Sequence, residues 1–190
     1  MNEHDVKELL IGAGAILEGH FLLTSGLHSN MYIEKFQVLQ HPEPTEKLCA
    51  ALAARFRRYD PQVVVGPVTG GIILAYETAR QLGTRAIFTE RENGIMCLRR
   101  GFYIKPGERV LVVEDIITTG GSVQETIDVV RRQGGIPVGL GVLVDRSGGK
   151  AQFDVPLISL LRLEVPTFRP EECPMCREGK PFTKRGSRNI

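Results

Sequence analysis

Two kinds of apolar pattern alternate along the central part of the chain. Short, nearly continuous apolar runs are typical of strands buried on both faces. Between them, apolar residues three and four positions apart predict amphipathic helices. This alternation indicates a parallel α/β sheet covered by helices on both faces. The predicted helices cover 5–19, 45–58, 71–82 and 122–133, and the predicted strands cover 63–65, 85–89, 109–113, 138–144 and 152–161.

Three segments lie outside this alternation. We predict that residues 1–40 form a small N-terminal subdomain, or hood, ahead of a core formed by residues 41–165. Residues 166–190 are predicted to form a polar, irregular C-terminal tail. Residues 90–106 are basic and contain glycine, which is typical of a mobile loop or hairpin beside an anionic ligand. The basic residues of this segment are Arg91, Arg99, Arg100 and Lys105.

Composition narrows the class of protein. The 190 residues are 42% hydrophobic and 24% charged, as expected for one compact soluble domain. A formal net charge of +2 is low for a nucleic-acid-binding protein. No apolar run is long enough for a transmembrane helix, and the first residues lack the features of a secretory signal. We therefore expect a cytoplasmic location, with neither nucleic acid nor membrane as a partner.

The strongest chemical signal follows the predicted strand 109–113. Glu114 and Asp115 come first, and a Thr/Gly/Ser loop then opens a predicted helix, for which Ser122 and Glu125 have capping-box spacing. Glycines, hydroxyls and a helix N-terminus together suit a phosphate. Carboxylates would repel that phosphate but accept hydrogen bonds from sugar hydroxyls, so the pattern predicts a ribose-5-phosphate site. The alternative is a plain strand–turn–helix with Ser122 as N-cap and two solvated acids.

Residues 112–123 resemble the phosphoribosyl-diphosphate-binding motif of type I phosphoribosyltransferases. The resemblance implies that Glu114 and Asp115 bind the ribose hydroxyls. It also implies that the following loop binds the 5-phosphate. The residues of that loop are Ile116, Ile117, Thr118, Thr119, Gly120, Gly121 and Ser122.

A second segment, 66–71, follows the predicted strand 63–65. It resembles the loop of the same family whose backbone amides hold the diphosphate. The alternative is an ordinary Gly/Pro turn between a strand and a helix. The resemblance assigns the diphosphate contact to Val68, Thr69, Gly70 and Gly71.

Two features indicate the base. Residues 21–32 resemble the N-terminal motif of orotate phosphoribosyltransferases, which implies that Ser25 and Gly26 contact orotate. Arg146 follows the predicted strand 138–144 where that family has an arginine, and a guanidinium can hold a carboxylate in a bidentate pair. Thr118 also matches an orotate-contacting position. The alternative for Arg146 is an ion pair with Asp145 or another surface acid.

The resemblance implies a type I phosphoribosyltransferase fold and a reaction. The 5-phosphoribosyl group of 5-phospho-α-D-ribose 1-diphosphate would pass to orotate, giving orotidine 5′-monophosphate and diphosphate in pyrimidine biosynthesis. It further implies Mg²⁺ held mainly by the substrate, and a homodimer in which residues 90–106 reach the neighbouring site. Glu114, Asp115 and Arg91 are the expected catalytic residues. The alternatives are a phosphoribosyltransferase for a purine or another base, and a nucleotide-sensing regulator with this fold.

The loop 90–106 departs from the family pattern. Arg91 matches, but Glu92 follows where a lysine is usual, and no histidine lies beyond residue 41. An arginine stays charged and does not shuttle protons. Arg91, Arg99 and Arg100 are therefore expected to neutralise diphosphate charge electrostatically.

Cys173 and Cys176 form a lone CxxC pair in the tail. Zinc normally takes four ligands, and only Cys49, Cys97 and the histidines remain to complete a set. A redox pair and half of a zinc site shared between subunits are open alternatives. The preferred interpretation is a structural or idle pair.

Overall fold

The computed structural model describes residues 1–23 and 25–184. Within them, most of the predicted elements are present, and several extend beyond the predicted limits. The helices are α1 (Glu3–Gly12), α2 (Phe36–Leu39), α3 (Pro42–Phe56), α4 (Gly70–Leu82), α5 (Gly121–Arg132) and α6 (Pro174–Arg177), with 3₁₀ turns at Arg57–Tyr59 and Pro170–Glu172. The strands are β1 (Ile16–Leu22), β2 (His28–Ile33), β3 (Val63–Pro67), β4 (Arg85–Glu92), β5 (Ile95–Leu98), β6 (Arg109–Ile117), β7 (Ile136–Asp145), β8 (Leu157–Arg162), β9 (Thr167–Phe168) and β10 (Thr183–Lys184).

The main sheet has six strands in the order β5-β4-β3-β6-β7-β8. All neighbouring pairs are parallel except β4 and β5, which form an antiparallel hairpin at one edge. Val64 and Leu111 face the core that contains α3 and α4, whereas Val63 and Val110 face the core that contains α5. Both faces are therefore buried, which confirms the parallel α/β class and explains the uninterrupted apolar runs.

The predicted helix 5–19 is wrong in its second half. Helix α1 ends at Gly12, Gly14 has a φ of 70°, and β1 begins at Ile16. The apolar side chains of Ala15 and Ile16 continue the spacing of α1, but they pack into the core from a turn and a strand. A positive φ, which glycine adopts without strain, permits this reversal at residue 14.

A second, four-stranded sheet, called the hood sheet below, combines strands of the predicted hood (1–40) with strands of the tail. The antiparallel hairpin β1–β2 lies at its centre, and the tail supplies β10 on one edge and β9 on the other. The tail thus contains short regular elements where an irregular chain is predicted. Strands of two residues have no detectable period in a sequence, and they form here because the hairpin edges offer free backbone groups.

No helix in the described part of the chain is both long enough and apolar enough to span a bilayer.

Candidate functional site

The carboxyl end of β6 carries the two predicted acids. Asp115 is 2% exposed, and Glu114 is partly buried. The backbone N–H of Asp115 donates to Oε1 of Glu114 over 3.0 Å. Strand β6 continues through both residues to Ile117 and so holds them at the carboxyl ends of the parallel strands, where ligands bind in open α/β folds.

Asp115 is paired with Lys35, a residue absent from the predicted site. The Lys35 Nζ lies 3.1 Å from Oδ1 and 2.9 Å from Oδ2 of Asp115. Lys35 follows the hood strand β2 and is separated from Asp115 by 80 positions. No local pattern in the sequence marks this lysine, because its partner is provided by the folding of the hood onto the sheet.

Burial shifts the titration of both acids. It raises the pKa of Glu114 to about 8, and the nearby charge of Asp115 adds to the shift. Burial also raises the pKa of Asp115, but the charge and hydrogen bond of Lys35 oppose that rise. The arrangement therefore favours a protonated Glu114 beside a carboxylate that Lys35 stabilises.

The segment 116–122, which is predicted to bind the 5-phosphate and is called the phosphate-type loop below, leads from β6 into α5. Thr118 and Thr119 are exposed. Gly120 is the N-cap of α5 with a φ of 79°, and no side chain caps the helix. The N–H groups of the first turn remain available to an anion. The predicted capping box is therefore wrong: Ser122 lies inside the helix, and Glu125 pairs with Arg91.

A cavity of 240 Å³ lies against this loop. Its lining brings together most of the residues predicted to bind the ribose and its phosphate. A larger cavity of 720 Å³ lies at the amino ends of β3, β4 and β6, beside Arg57 and Arg109, and contains none of the predicted residues. The smaller cavity is lined by Arg91, Glu114, Ile116, Ile117, Thr118, Thr119, Gly120, Gly121, Ser122, Val123 and Glu125.

The second predicted loop connects β3 to α4 and lies directly against Asp115. A Cβ atom at Gly70 would be 1.9 Å from Oδ2 of Asp115. A Cβ atom at Gly66 would be 2.3 Å from the carbonyl oxygen of Gly71, so the loop folds tightly on itself. The peptide bond between Val68 and Thr69 is cis, and the side chain of Val68 is exposed. The two predicted phosphate-binding loops are thus neighbours in space.

The basic segment 90–106 begins as the β4–β5 hairpin. Arg91 pairs with Glu125 over 2.6 Å and lines the cavity of its own chain. Its Nη1 also donates to the carbonyl oxygen of Gly94 over 2.8 Å. Arg99 and Arg100 pair with Glu92 and Glu90, respectively, within the same hairpin.

Arg146 lies at the end of β7, next to the phosphate-type loop. Its backbone N–H donates to the carbonyl oxygen of Ile117 over 2.9 Å. Its Nε is buried without a hydrogen-bond partner in the described residues. Burial lowers the pKa of Arg146, and Tyr32 of the hood opposes that shift. Asp145 accepts a hydrogen bond from the Ser147 backbone over 2.8 Å, and no ion pair joins it to Arg146 within 1–23 and 25–184.

Ser25 and Gly26 lie at the turn of the hood hairpin. Gly26 has a φ of 79°, and its N–H donates to the carbonyl oxygen of Leu23 over 2.9 Å. The Oγ of Ser25 accepts a long contact of 3.5 Å from the Leu27 N–H. These contacts join residues of the turn, and neither residue lines the cavity beside β6.

The chain matches known proteins along its whole length. Residues 37–165 match the family described as phosphoribosyl transferase domain. The orotate phosphoribosyltransferase of Desulforamulus reducens is 56% identical over 190 residues, which is 100% of both chains. That of Thermotoga maritima is 49% identical over 185 residues, covering 97% of this chain and 99% of the relative.

A solved structure agrees with these relatives. The crystal structure of orotate phosphoribosyltransferase from Aeropyrum pernix has 30% sequence identity and a TM-score of 0.67. The match covers 83% of this chain and 93% of that one. Sequence and fold lead to the same assignment: the chain belongs to the orotate phosphoribosyltransferase family of type I phosphoribosyltransferases.

Proposed function

We propose that this chain transfers the 5-phosphoribosyl group from 5-phospho-α-D-ribose 1-diphosphate to orotate. The products are orotidine 5′-monophosphate and diphosphate. The choice of base rests on the position of Arg146. Its buried Nε lacks a hydrogen-bond partner in the described chain. Its backbone N–H bonds the carbonyl oxygen of Ile117, which places it beside the phosphate-type loop. A buried donor without a partner is costly, and a ligand carboxylate would satisfy it.

The phosphoribosyl donor binds along the edge formed by the two loops. Its 5-phosphate accepts hydrogen bonds from the loop 116–122 and from the first turn of α5. Glu114 and Asp115 bind the ribose hydroxyls. The diphosphate lies along Val68, Thr69, Gly70 and Gly71. The contact between Gly70 and Asp115 supports this order, because it sets the diphosphate loop next to the ribose-binding acids.

Orotate binds between the sheet and the hood. Arg146 and Thr118 hold it from the sheet, and Ser25 and Gly26 contact it from the hairpin turn. The electrostatic influence of Tyr32, a residue of β2, on the pKa of Arg146 supports this position, since the two side chains must be near enough to interact. The bidentate fork of an arginine fixes the ring so that its nitrogen faces the anomeric carbon of the donor.

The reaction exchanges one bond at the anomeric carbon for another. The bond to the diphosphate oxygen breaks, and its electron pair leaves with the diphosphate. The bond from the orotate nitrogen forms at the same carbon, and the proton that this nitrogen carried is lost to water or to the departing diphosphate. No protein nucleophile is needed, so the chain contributes positioning and charge stabilisation. Arg91 stabilises the charge that develops on the departing diphosphate.

The site residues fit a magnesium ion carried by the donor. Mg²⁺ prefers oxygen ligands and is usually held by one or two carboxylates together with substrate phosphates. Asp115, at the end of β6, supplies one such carboxylate, and the substrate phosphates would complete the donor set. Bound there with the substrate, such an ion would neutralise charge on the diphosphate.

A homodimer is the assembly that we propose, with residues 90–106 reaching the neighbouring site. Arg91, at the start of this segment, lines the cavity of its own chain. Any contribution to the neighbouring site therefore comes from later residues of the segment, such as Arg99, Arg100 and Lys105. In the isolated chain the first two are held by Glu92 and Glu90, and dimer formation would have to redirect them.

The direct test is the loss of orotate absorbance with the purified chain, the donor and Mg²⁺. We expect consumption that requires both the donor and the metal. Parallel reactions with adenine, hypoxanthine and uracil serve as controls and are expected to be slow. Consumption of another base instead of orotate would contradict the proposal. Binding of the donor without turnover of any base would favour a regulatory role.

A further inference from the structure

Four potential metal ligands converge in the hood, away from the site described above. They are His20 of β1, His28 of β2, and Cys173 and Cys176 of the tail. Their ligand atoms all lie within 4.8 Å of one another. His20, His28 and Cys173 are buried, and Cys176 is partly buried. The two histidines thus complete the ligand set that the CxxC motif lacks.

The spacing of these atoms approaches that of a tetrahedral site. Zinc lies about 2.3 Å from sulfur and about 2.0 Å from nitrogen, so neighbouring S and N ligands are roughly 3.5 Å apart. The Nε2 of His20 lies 3.5 Å from Sγ of Cys173 and 3.7 Å from Sγ of Cys176. The Nδ1 of His28 lies 3.2 Å from Sγ of Cys176. The two nitrogens, at 2.7 Å, are closer than a tetrahedral edge and would separate slightly around an ion.

One histidine is already oriented as a ligand. The Nδ1 of His20 lies 2.8 Å from the carbonyl oxygen of Lys180. A carbonyl oxygen only accepts, so Nδ1 carries the hydrogen and the lone pair of Nε2 points into the cluster. Metal-bound histidines typically donate their second ring N–H in this way. The ring of Phe182 packs against both imidazoles, with centroid distances of 5.7 Å to His20 and 5.3 Å to His28.

We propose that His20, His28, Cys173 and Cys176 bind a structural zinc ion. Two thiolates and two imidazoles in a closed tetrahedral set are typical of structural zinc, because no position is left for water or substrate. A disulfide would use only the cysteines and leave two buried imidazoles to bond each other. The ion satisfies all four groups within one chain, so no second subunit is required.

The ion would attach the tail to the hood. Two of its ligands come from the central strands β1 and β2 of the hood sheet. The other two come from the tail segment that connects β9 to β10, and these two short strands form the opposite edges of that sheet. His20 and His28 also flank the turn that contains Ser25 and Gly26. The zinc therefore links sequence-distant segments and restrains the hairpin to which the proposed function assigns an orotate contact. The zinc site itself does not depend on that function.

Metal analysis of the purified full-length chain tests the proposal directly. We expect one zinc ion per chain after removal of loosely bound metal by gel filtration. A mercurial reagent that modifies thiols should release this zinc from the unaltered protein in proportion to Cys173 and Cys176 modification. Replacement by Co²⁺ should give the visible bands of a tetrahedral ion and a thiolate-to-cobalt charge-transfer band.

Two variants locate the ligands. Cys176→Ser should lose the zinc and weaken the charge-transfer band, whereas Cys97→Ser, which alters a cysteine of β5, should retain both. A zinc chelator should lower the Tm of the parent by at least about 5 °C, since bound metal stabilises the folded state. It should leave the Tm of Cys176→Ser unchanged. Protein without zinc, whether its cysteines are free thiols or a disulfide, would overturn the proposal, as would full zinc retention in Cys176→Ser. If that variant does not fold, zinc release by thiol modification of the parent decides alone.

Discussion

Gly70 and Asp115 approach each other so closely that a Cβ atom on Gly70 would lie 1.9 Å from the Asp115 Oδ2. Asp115 also contacts Lys35 through both carboxylate oxygens. A single buried carboxylate is therefore held between the first residue of α4 and a lysine of the hood. Three segments that are distant in sequence meet at this group, and its position depends on all of them.

Gly70→Ala should displace the Asp115 carboxylate from Lys35. We expect kcat/KM to fall about 100-fold and the free energy of unfolding to fall by roughly 1–3 kcal/mol, because the added methyl group overpacks a buried site. Steady-state kinetics and urea unfolding measure both effects. Gly12→Ala is the matched control: it also lies in a helix, and its Cβ would meet nothing within 4 Å. Unchanged kinetics in Gly70→Ala would show that the contact is unimportant.

Lys35→Met should raise the pKa of Asp115, because the cation that opposes the effect of burial is removed. The acidic limb of the kcat/KM profile should then move to higher pH, with roughly a 10-fold loss of activity at neutral pH. Lys47→Met removes an exposed lysine paired with Glu43 and should leave the profile unaltered. A uniform loss at every pH would instead indicate that Lys35 acts only through packing.

Arg146→Lys keeps a positive charge but loses the planar fork. We expect the KM for orotate to rise at least about 10-fold and the KM for the phosphoribosyl donor to change less than about 2-fold. Arg146→Ala should have the larger effect on orotate. Arg58→Ala, an exposed arginine on the 3₁₀ turn after α3, is the control. Equal losses for both substrates would contradict an orotate contact.

Glu114→Gln should change how stability depends on pH. The pKa of Glu114 is raised to about 8, so the folded chain holds a proton that the unfolded chain releases near the ordinary value of 4.5. The contribution to stability is present below the unfolded pKa and is lost as the pH rises through the folded one. The parent should therefore lose more stability than Glu114→Gln between pH about 5 and about 8. Urea unfolding across that range measures the difference in slope.

Glu43→Gln is the control for that experiment, because Lys47 lowers the pKa of this exposed carboxyl. It should not reproduce the reduced slope. Equal slopes in the parent and Glu114→Gln would mean that Glu114 titrates alike in the folded and unfolded chains.

Arg91→Ala should lower kcat about 100-fold, because a cation near the departing diphosphate is lost. Arg91 lines the cavity that contains Glu114 of the same chain. Mixing Arg91→Ala subunits with Asp115→Asn subunits should therefore restore no activity, since every site would lack one of the two groups. Restored activity in the mixture would assign Arg91 to the neighbouring subunit's site.

The sheet and the phosphate-type loop could be predicted from local patterns. The runs at 63–65 and 109–113 are apolar because both faces of the sheet are covered, and this burial leaves a signal within a few residues. The loop after Asp115 is equally local, because glycines and hydroxyls lie beside a helix start. The boundary at Gly14 was missed because the apolar spacing of α1 continues into the turn and β1, although a glycine just past a helix end is a common stop signal.

The remaining relationships join residues that no short pattern connects. Lys35 reaches Asp115 across 80 positions, and Cys173 reaches His20 across 153. In the sequence, Cys173 and Cys176 form half of a ligand set, and Asp115 has no visible cation. Their partners are specified by how the hood packs on the sheet and how the tail pairs with the hood. A contact between distant segments depends on that packing geometry, which single-residue chemistry and local periodicity do not encode.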